Sequence, residues 1–256
     1  MLKSPAAKSA LLDKGVLISP MIEGLGFPRL QSASMLIKSE SHNMVVDCGA
    51  VENRDVVVGR LAEHGLTPAQ IDTVLITHSH FDHMENWDLF TNARFYVHRR
   101  ELQFIATLLA TAQDDLDDVI RSHYVRILDF YVRAIKRRIT DRRALYQGFV
   151  DSADRMTQLD GAQEVHDDVV MVPSPGHTLG HMSVGVTHGQ KPVWICGDAI
   201  TTRQAWLKRD AHICADVDIY ARTCREIQQR GGIVVPGHDR PFDLETLEYV
   251  EYSNLS

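Results

Sequence analysis

The chain has 256 residues, of which 44% are hydrophobic and 24% charged, and its formal net charge is −7. This length and composition are typical of a globular α/β protein, so we expect residues 1–256 to form a single domain. The negative charge argues against nucleic acid as the main partner, since phosphate binding requires a basic surface. The longest apolar runs are too short to span a membrane, and the first residues lack the apolar core of a signal peptide.

The four cysteines are isolated from one another and form no C-x-x-C pair; they are Cys48, Cys196, Cys214 and Cys224. This distribution fits buried thiols in a reducing compartment and indicates neither a thiolate metal site nor a redox motif. We therefore expect a cytoplasmic protein that acts on a small molecule, without a membrane partner.

Strand and helix signals alternate in the first part of the chain. Residues 1–14 are expected to form a loose terminal segment. Residues 51–64 have amphipathic helical spacing, and Gly65 is typical of a helix stop. The strand–helix–strand order that ends at residue 76 predicts a right-handed crossover between neighbouring strands. Short apolar runs predict strands at 15–20, 34–38, 43–47, 71–76 and 93–98.

The middle of the chain, residues 101–148, has almost no strand signal. Apolar residues recur at helical spacing over 115–139, which predicts one long helix there. We interpret 101–148 as a helical insertion within the domain, because strand signals resume after it. The later part of the chain predicts a helix at 218–230 and strands at 150–159, 169–172, 183–186, 193–195 and 232–235.

The insertion contains a basic stretch, 121–143, with eight basic and two acidic residues. One interpretation is that it recognises an anionic substrate. The alternative is a solvated helix face beside an acidic neighbour. Three aromatic residues interleave the basic ones, namely Tyr124, Phe130 and Tyr131, and they are typical of core or dimer contacts. A homodimer formed through the insertion is therefore a further prediction.

The strongest chemical signal is the segment 77–83, Thr-His-Ser-His-Phe-Asp-His, directly after a predicted buried strand. If the strand continues to His80, then His78 and His80 point to the same side of it. If the chain then turns into a helix, Asp82 and His83 approach from another direction. Imidazole and carboxylate groups are ligands that zinc and similar divalent ions take from proteins. One short turn can thus supply ligands to two adjacent metal ions.

Three further candidate ligands follow predicted strands, each next to a glycine. His177 follows Gly176, Asp198 follows Gly197 and His238 follows Gly237; their strands end at Val172, Ile195 and Val235. Loops at the ends of strands in a rigid sheet are the usual place for such side chains. Each motif alone is weak evidence, but all of them in one chain indicate a metal site.

The complete set resembles the ligands of the metallo-β-lactamase fold superfamily, in particular its lactonase-like dinuclear zinc hydrolases, over residues 15–242. The resemblance implies an α/β fold, a four-layer αβ/βα sandwich of two mixed β-sheets flanked by helices. It implies that Asp198 bridges two metal ions. One ion would be held by His78, His80 and His177, and the other by Asp82, His83 and His238. Zinc is the implied metal, with iron or manganese as alternatives.

Two adjacent cations lower the pKa of a shared water and provide hydroxide at neutral pH, which attacks a carbonyl or phosphorus centre. Asp82 is the candidate catalytic residue, because it lies beside that water and can pass a proton to the leaving group. Asp47 matches an aspartate that the superfamily has at the end of an early strand, and an ordinary turn aspartate is the alternative interpretation. We expect Asp47 to hold the ligand loop by hydrogen bonds.

Three more residues are candidates for the surroundings of the metals or the substrate pocket. His181 lies four residues after His177, although a structural role is an alternative. Thr201 stands where the quorum-signal lactonases of the superfamily have a tyrosine that contacts the substrate, and its presence argues against that particular activity. Tyr220, Tyr124 or Tyr131 would then have to supply the phenol from elsewhere.

These observations predict a dinuclear metal hydrolase that opens or cleaves a small carboxylic ester or lactone. The alternatives are a thioesterase resembling the hydroxyacylglutathione hydrolases, a phosphodiesterase or nuclease, and an iron-dependent oxygenase, since the same ligand types accept iron. The helical insertion stands where lactonase-like members of the superfamily have one, which favours an ester or lactone.

Overall fold

The protein is described here from a computed structural model that covers residues 16–26, 31–166, 168–187 and 191–255. The predicted loose segment 1–14 lies outside these residues. Within the described ranges, no helix has the length and apolar character needed to cross a membrane. The strands are β1 (Leu17–Ile22), β2 (Ser34–Lys38), β3 (Asn43–Val46), β4 (Thr73–Leu75), β5 (Arg94–His98), β6 (Met156–Leu159), β7 (Gln163–His166), β8 (Val169–Pro173), β9 (Met182–Val186), β10 (Val193–Gly197), β11 (Ile233–Pro236) and β12 (Phe242–Asp243).

The strands form two mixed sheets in which sequence neighbours are mostly also spatial neighbours. The first sheet has the order β1-β2-β3-β4-β5-β6, and β3 to β6 run parallel. The second has the order β12-β11-β10-β9-β8-β7, with a single parallel pair, β10 and β11. The α-helices are α1 (Arg54–Glu63), α2 (Phe81–Met84), α3 (Arg99–Ala110), α4 (Leu116–Ser122), α5 (Asp129–Asp141), α6 (Arg143–Asp151), α7 (Arg203–Lys208) and α8 (Val217–Arg230).

Alternation along the strands separates the interior into layers. In β2, Leu36 faces the core shared with α1 and α3 to α6, while Met35 and Ile37 face the second sheet. On the far side, Trp194 of β10 packs with Cys224 and other residues of α7 and α8. Side chains on opposite faces of a strand alternate, so each sheet buries both surfaces. The predicted four-layer α/β sandwich is confirmed.

The predicted single helix over 115–139 is wrong: two helices, α4 and α5, replace it. The chain between them leaves helical geometry because Arg126 pairs with Cys214, its N–H donating to the Cys214 carbonyl at 3.0 Å and its carbonyl accepting from Cys214 at 2.8 Å. Helical spacing in the sequence does not detect such a long-range backbone pairing. The strand predicted at 150–159 begins only at Met156, since α6 occupies the preceding residues.

The basic stretch 121–143 is largely paired with acidic side chains, as expected for a solvated helix face beside acidic neighbours. Arg138 is the most buried case: it donates to Glu85 at 2.8 Å, and the Glu85 side chain is fully buried. Tyr146 also donates to Glu85, at 2.8 Å, so this carboxylate ties the insertion to the turn that follows α2. Ion pairs with carboxylates also form at Arg121, Arg126, Lys136, Arg137 and Arg142.

Candidate metal centre

The candidate ligands meet at one edge of the sandwich because each follows the carboxyl end of a strand. The segment His78–His83 follows β4 and continues into α2. His177 follows β8, Asp198 follows β10 and His238 follows β11. The short helix α2 turns Asp82 and His83 away from the direction of the strand, in agreement with the sequence argument. The structure therefore brings all seven predicted ligands together.

Four of these residues form a first cluster, His78, His80, His177 and Asp198, whose ligand atoms lie within 4.8 Å of one another. His177 Nε2 lies 3.1 Å from His80 Nδ1 and 3.3 Å from Asp198 Oδ2. All four residues are buried. Three imidazoles and one carboxylate oxygen at this spacing match a tetrahedral zinc site.

Asp82, His83 and His238 form a second cluster of the same kind. His238 Nε2 lies 3.5 Å from Asp82 Oδ2 and 3.3 Å from Asp198 Oδ1. His83 Nε2 lies 3.6 Å from the same Asp198 oxygen. One oxygen of Asp198 thus faces the second cluster while the other faces His177 of the first, which is the geometry that a bridging carboxylate needs.

The protonation states suit cation binding. Burial lowers the pKa values of His78 and His80 well below the usual range of histidine, and neighbouring imidazoles lower them further. Burial opposes ionisation of Asp198, but His238 and His177 hold the pKa of its carboxyl group well below its usual range. The first cluster therefore offers neutral imidazoles and an ionised carboxylate, the forms that bind metals. At the second cluster burial opposes protonation, but Asp47 beside His83 and Asp198 beside His238 hold the pKa values of both histidines above the usual range, so binding of a cation there displaces protons.

Several buried ligand atoms have no hydrogen-bond partner among the described residues: His78 Nε2, His83 Nε2 and Asp198 Oδ1. Leaving a buried polar atom without a partner costs about 1–3 kcal/mol, so such atoms call for another explanation. All three point into the two clusters. The residues present therefore fit divalent metal ions of the kind that take histidine and aspartate ligands.

Asp47 supports the ligand loop, and its backbone takes a left-handed conformation with φ of 56°. Its carboxylate accepts the Thr77 N–H and the Thr77 hydroxyl, both at 2.8 Å, and contacts His83 Nδ1 at 2.7 Å. Holding Nδ1 leaves Nε2 of His83 directed at the second cluster. An outer carboxylate of this kind fixes the orientation of a metal-binding imidazole.

His80 is oriented by Tyr124 from the insertion, whose hydroxyl lies 2.8 Å from His80 Nε2. Because Nδ1 of His80 faces the first cluster, Nε2 carries the proton and donates a hydrogen bond to the Tyr124 oxygen. On the other side of the cluster, His177 Nδ1 donates to the Ile213 carbonyl at 3.1 Å. Tyr124 thus holds a candidate metal ligand through its hydroxyl.

Replacing Tyr124 by phenylalanine is expected to weaken metal binding about tenfold, since this removes the acceptor that holds His80. A competition titration of the metal-free protein with a chromophoric chelator measures the change. Tyr249→Phe is a matched control, because the Tyr249 hydroxyl contacts Asp239 on the surface. Equal affinities for the Tyr124→Phe protein and the unaltered protein would exclude this role.

The glycines beside the ligands are required by close approach. A Cβ atom at Gly237 would overlap Asp198 Oδ1, and one at Gly197 would lie 2.7 Å from Thr77 Oγ1. Gly197 also has a φ of 47°, in the left-handed region that other residues rarely adopt. The glycine next to each ligand thus lets the loops converge on Asp198.

The three remaining candidates lie around the centre without forming part of the ligand clusters. His181 Nε2 accepts the Ala199 N–H at 3.2 Å, and its Nδ1 contacts Ser174 Oγ at 2.8 Å. Thr201 accepts the His238 N–H through its carbonyl at 2.8 Å. Tyr220 is a buried residue of α8, and its backbone abuts Gly176. All three residues support the backbone of the ligand loops.

Glu101 is a functional residue that the sequence argument missed. This buried carboxylate accepts from Ser79 N–H at 2.8 Å, Ser79 Oγ at 2.6 Å, Thr178 Oγ1 at 2.7 Å and Gly180 N–H at 3.1 Å. It therefore joins the loop of His78 and His80 to the loop of His177. A signal was present, since Glu101 shares the apolar stripe of α3 with Phe104, Ile105 and Leu108.

The sequence pattern of the metallo-beta-lactamase superfamily matches residues 27–238. The chain therefore belongs to this superfamily. It is 25% identical over 174 residues to a protein of Bacillus subtilis described as probable metallo-hydrolase YflN, covering 65% of this chain and 59% of that protein. A second relative, probable metallo-hydrolase MJ0296 of Methanocaldococcus jannaschii, is 38% identical over 61 residues, 24% of this chain and 30% of that protein. The chain thus spans well under two thirds of both relatives.

Solved structures share the fold. A Thermotoga maritima protein provisionally assigned as a metallo-beta-lactamase superposes with a TM-score of 0.64 at 20% identity, covering 89% of this chain and 99% of that one. The dizinc quorum-quenching lactonase AidC superposes with a TM-score of 0.61 at 16% identity, covering 81% and 72%. At these identities the similarity establishes the α/β sandwich and no more.

Proposed function

We propose that the protein is a dinuclear metal hydrolase that holds two zinc ions and opens or cleaves a small carboxylic ester or lactone. The observation that carries the proposal is Asp198, whose two carboxylate oxygens face two separate groups of ligands. When bound, two such ions polarise the substrate and provide hydroxide at neutral pH. The similarity of fold to AidC supports an ester or lactone bond among the hydrolytic alternatives.

The chain's own residues would divide the remaining work. Asp82 is the least buried of the seven ligands, with 16% of its side chain exposed, and its Oδ2 lies 3.5 Å from His238 Nε2. A partly exposed carboxylate at the mouth of the centre is placed to carry a proton to the leaving group. Asp47 and Glu101 hold the loops so that the ligands keep their positions without rearrangement.

A cavity of about 330 Å³ lies on the far side of Tyr124 and Thr178 from the centre, and none of the seven candidate ligands lines it. Phe104, Tyr124 and Leu179 supply part of its apolar wall, and Arg100 and His123 lie among its polar lining residues.

Tyr131 is a phenol of the insertion whose pKa responds to the charges of Asp198 and Asp82. Burial, with the charges of Asp198 and Asp82, raises the pKa of Tyr131 to about 12, so its hydroxyl stays protonated at neutral pH. Tyr131→Phe is expected to lower kcat/KM about tenfold to a hundredfold by removing a hydrogen-bond donor to the substrate. Steady-state kinetics test this, with unchanged metal content as the control. An unaltered kcat/KM would remove Tyr131 from the site.

The proposed reaction is tested by supplying the zinc-loaded protein with lactones, aryl esters, thioesters and bis-aryl phosphodiesters in parallel. We expect the highest kcat/KM with a lactone or ester. Preference for the thioester would instead indicate a thioesterase, and preference for the phosphodiester a phosphodiesterase or nuclease. Oxygen consumption by the iron-loaded protein, without hydrolysis, would indicate an oxygenase.

The insertion is also proposed as a dimer contact, because Val125, Leu128 and Phe130 are exposed on it. Burying such side chains against a second copy would stabilise a homodimer. Sedimentation equilibrium of Phe130→Ser is expected to show a larger monomer fraction than the unaltered protein. A monomer in both samples would contradict this arrangement.

A further inference from the structure

A third cluster of side chains that can bind a metal lies at the edge of the sandwich opposite the metal centre. His42 precedes β3, Asp72 precedes β4, and His166 ends β7. The candidate centre lies beyond the other ends of β3 and β4, so the two places are separated by the length of the strands. His42 and Asp72 belong to the first sheet and His166 to the second.

The three residues are close enough to share one ion. One ligand atom from each lies within 4.8 Å of the other two. His42 Nδ1 lies 3.4 Å from Asp72 Oδ1, and the side chains are 35% and 42% exposed, so solvent reaches them. The rings of His42 and His166 stand face to face, with centroids 3.5 Å apart and planes 15° apart. A shared ion requires a splaying of the two rings, which partly exposed side chains can undergo.

The surroundings hold these groups in place. The Asp72 carboxylate accepts the Asn43 N–H at 2.8 Å and the Thr73 hydroxyl at 2.7 Å. The same hydroxyl oxygen lies 3.1 Å from His166 Nε2, which links the two sheets. A serine turn fixes the backbone of His42, since Ser39 Oγ accepts the His42 N–H at 3.0 Å. Supporting contacts of this kind orient metal ligands and raise their affinity.

We propose that His42, Asp72 and His166 form a separate binding site for one divalent transition-metal ion of the zinc type. Two imidazoles and one carboxylate, with solvent access for a water ligand, are a donor set that zinc accepts. The site is distant from the reacting groups and therefore serves structure. An ion there would join the β2–β3 and β4 side of the first sheet to the β7–β8 hairpin of the second, and would stabilise the folded state by linkage.

The test is equilibrium dialysis of the zinc-loaded protein against excess free Zn²⁺ near neutral pH, followed by metal analysis. The protein is compared with His42→Gln/His166→Gln. We expect the double variant to hold one equivalent less zinc per chain and to lose the rise in unfolding temperature that excess Zn²⁺ produces. This difference does not depend on how many ions the catalytic centre holds, so it can succeed or fail separately from the proposed function. Hydrolytic activity should be equal in both proteins.

His64→Gln is the matched control, because His64 is a partly buried histidine that contacts Ser19 Oγ at 3.0 Å, away from all three clusters. It should retain the full zinc content. If the double variant folds poorly, Thr73→Val is used in its place. This variant is expected to weaken binding of the additional zinc ion about tenfold. Equal zinc content in the unaltered and variant proteins, or an unchanged affinity in Thr73→Val, would overturn the proposal.

Discussion

Replacing Asp198 by asparagine is expected to reduce hydrolytic turnover by about a thousandfold. The amide keeps the shape of the side chain but removes the negative charge that faces both ligand groups. The NH2 group of the asparagine would also be a donor where an acceptor is needed. Depending on its orientation, it would face His177 of the first cluster, or His83 and His238 of the second. Turnover and bound metal should therefore fall together, as measured by steady-state kinetics and metal analysis of the same sample.

A suitable control is Asp160→Asn, because Asp160 is an exposed aspartate paired with Arg99 on the surface. Exposed ion pairs contribute little to stability, so this variant should retain activity and metal. Full activity in Asp198→Asn would rule out a bridging carboxylate, and with it the dinuclear mechanism. Loss of activity with both metals retained would show that Asp198 is needed for the reaction and not for metal binding.

Replacing Glu101 by alanine is expected to destabilise the fold by roughly 3–5 kcal/mol. The substitution leaves two buried N–H groups and two hydroxyls, from Ser79, Thr178 and Gly180, without their acceptor. It also frees the two ligand loops from each other, so metal affinity should decrease. Urea denaturation of the metal-loaded protein measures the first effect, and a chelator competition the second.

Glu63→Ala is a control for charge removal, since Glu63 is exposed on α1 and forms an ion pair with Arg60 at 2.9 Å. Its expected effect on the free energy of unfolding is within about 0.5 kcal/mol. Glu101→Gln separates the effect of charge from that of shape, because it keeps one acceptor oxygen. Its loss of stability should lie between those of Glu63→Ala and Glu101→Ala. If Glu101→Ala unfolds at the same urea concentration as the unaltered protein, the proposed link between the loops is wrong.

The candidate ligands could be picked out from the sequence because each follows a predicted strand, and His177, Asp198 and His238 also stand beside a glycine. His78 and His177 are recognisable without knowing any partner, and local patterns survive folding. The alternation of apolar side chains likewise predicted most strands of both sheets. The resemblance then supplied the division of ligands between two ions, which spacing alone leaves open.

The sequence predicted poorly whatever depends on contacts between distant residues. The break between α4 and α5 arises from the backbone pairing of Arg126 with Cys214, which no local pattern encodes. Glu101 and Tyr124 act across long stretches of chain, on loops around residues 79, 80 and 178. The same holds for His42 and His166, which contact each other only because the two sheets pack together. Tertiary contacts determine these features, so they emerge only from the fold.

The measurement that tests the account most directly is anomalous X-ray diffraction at the zinc absorption edge from crystals of active protein. At the candidate centre we predict two peaks about 3.5–4 Å apart, one beside His78, His80 and His177 and the other beside Asp82, with Asp198 between them. A single peak, or none in protein that retains turnover, would contradict the dinuclear centre.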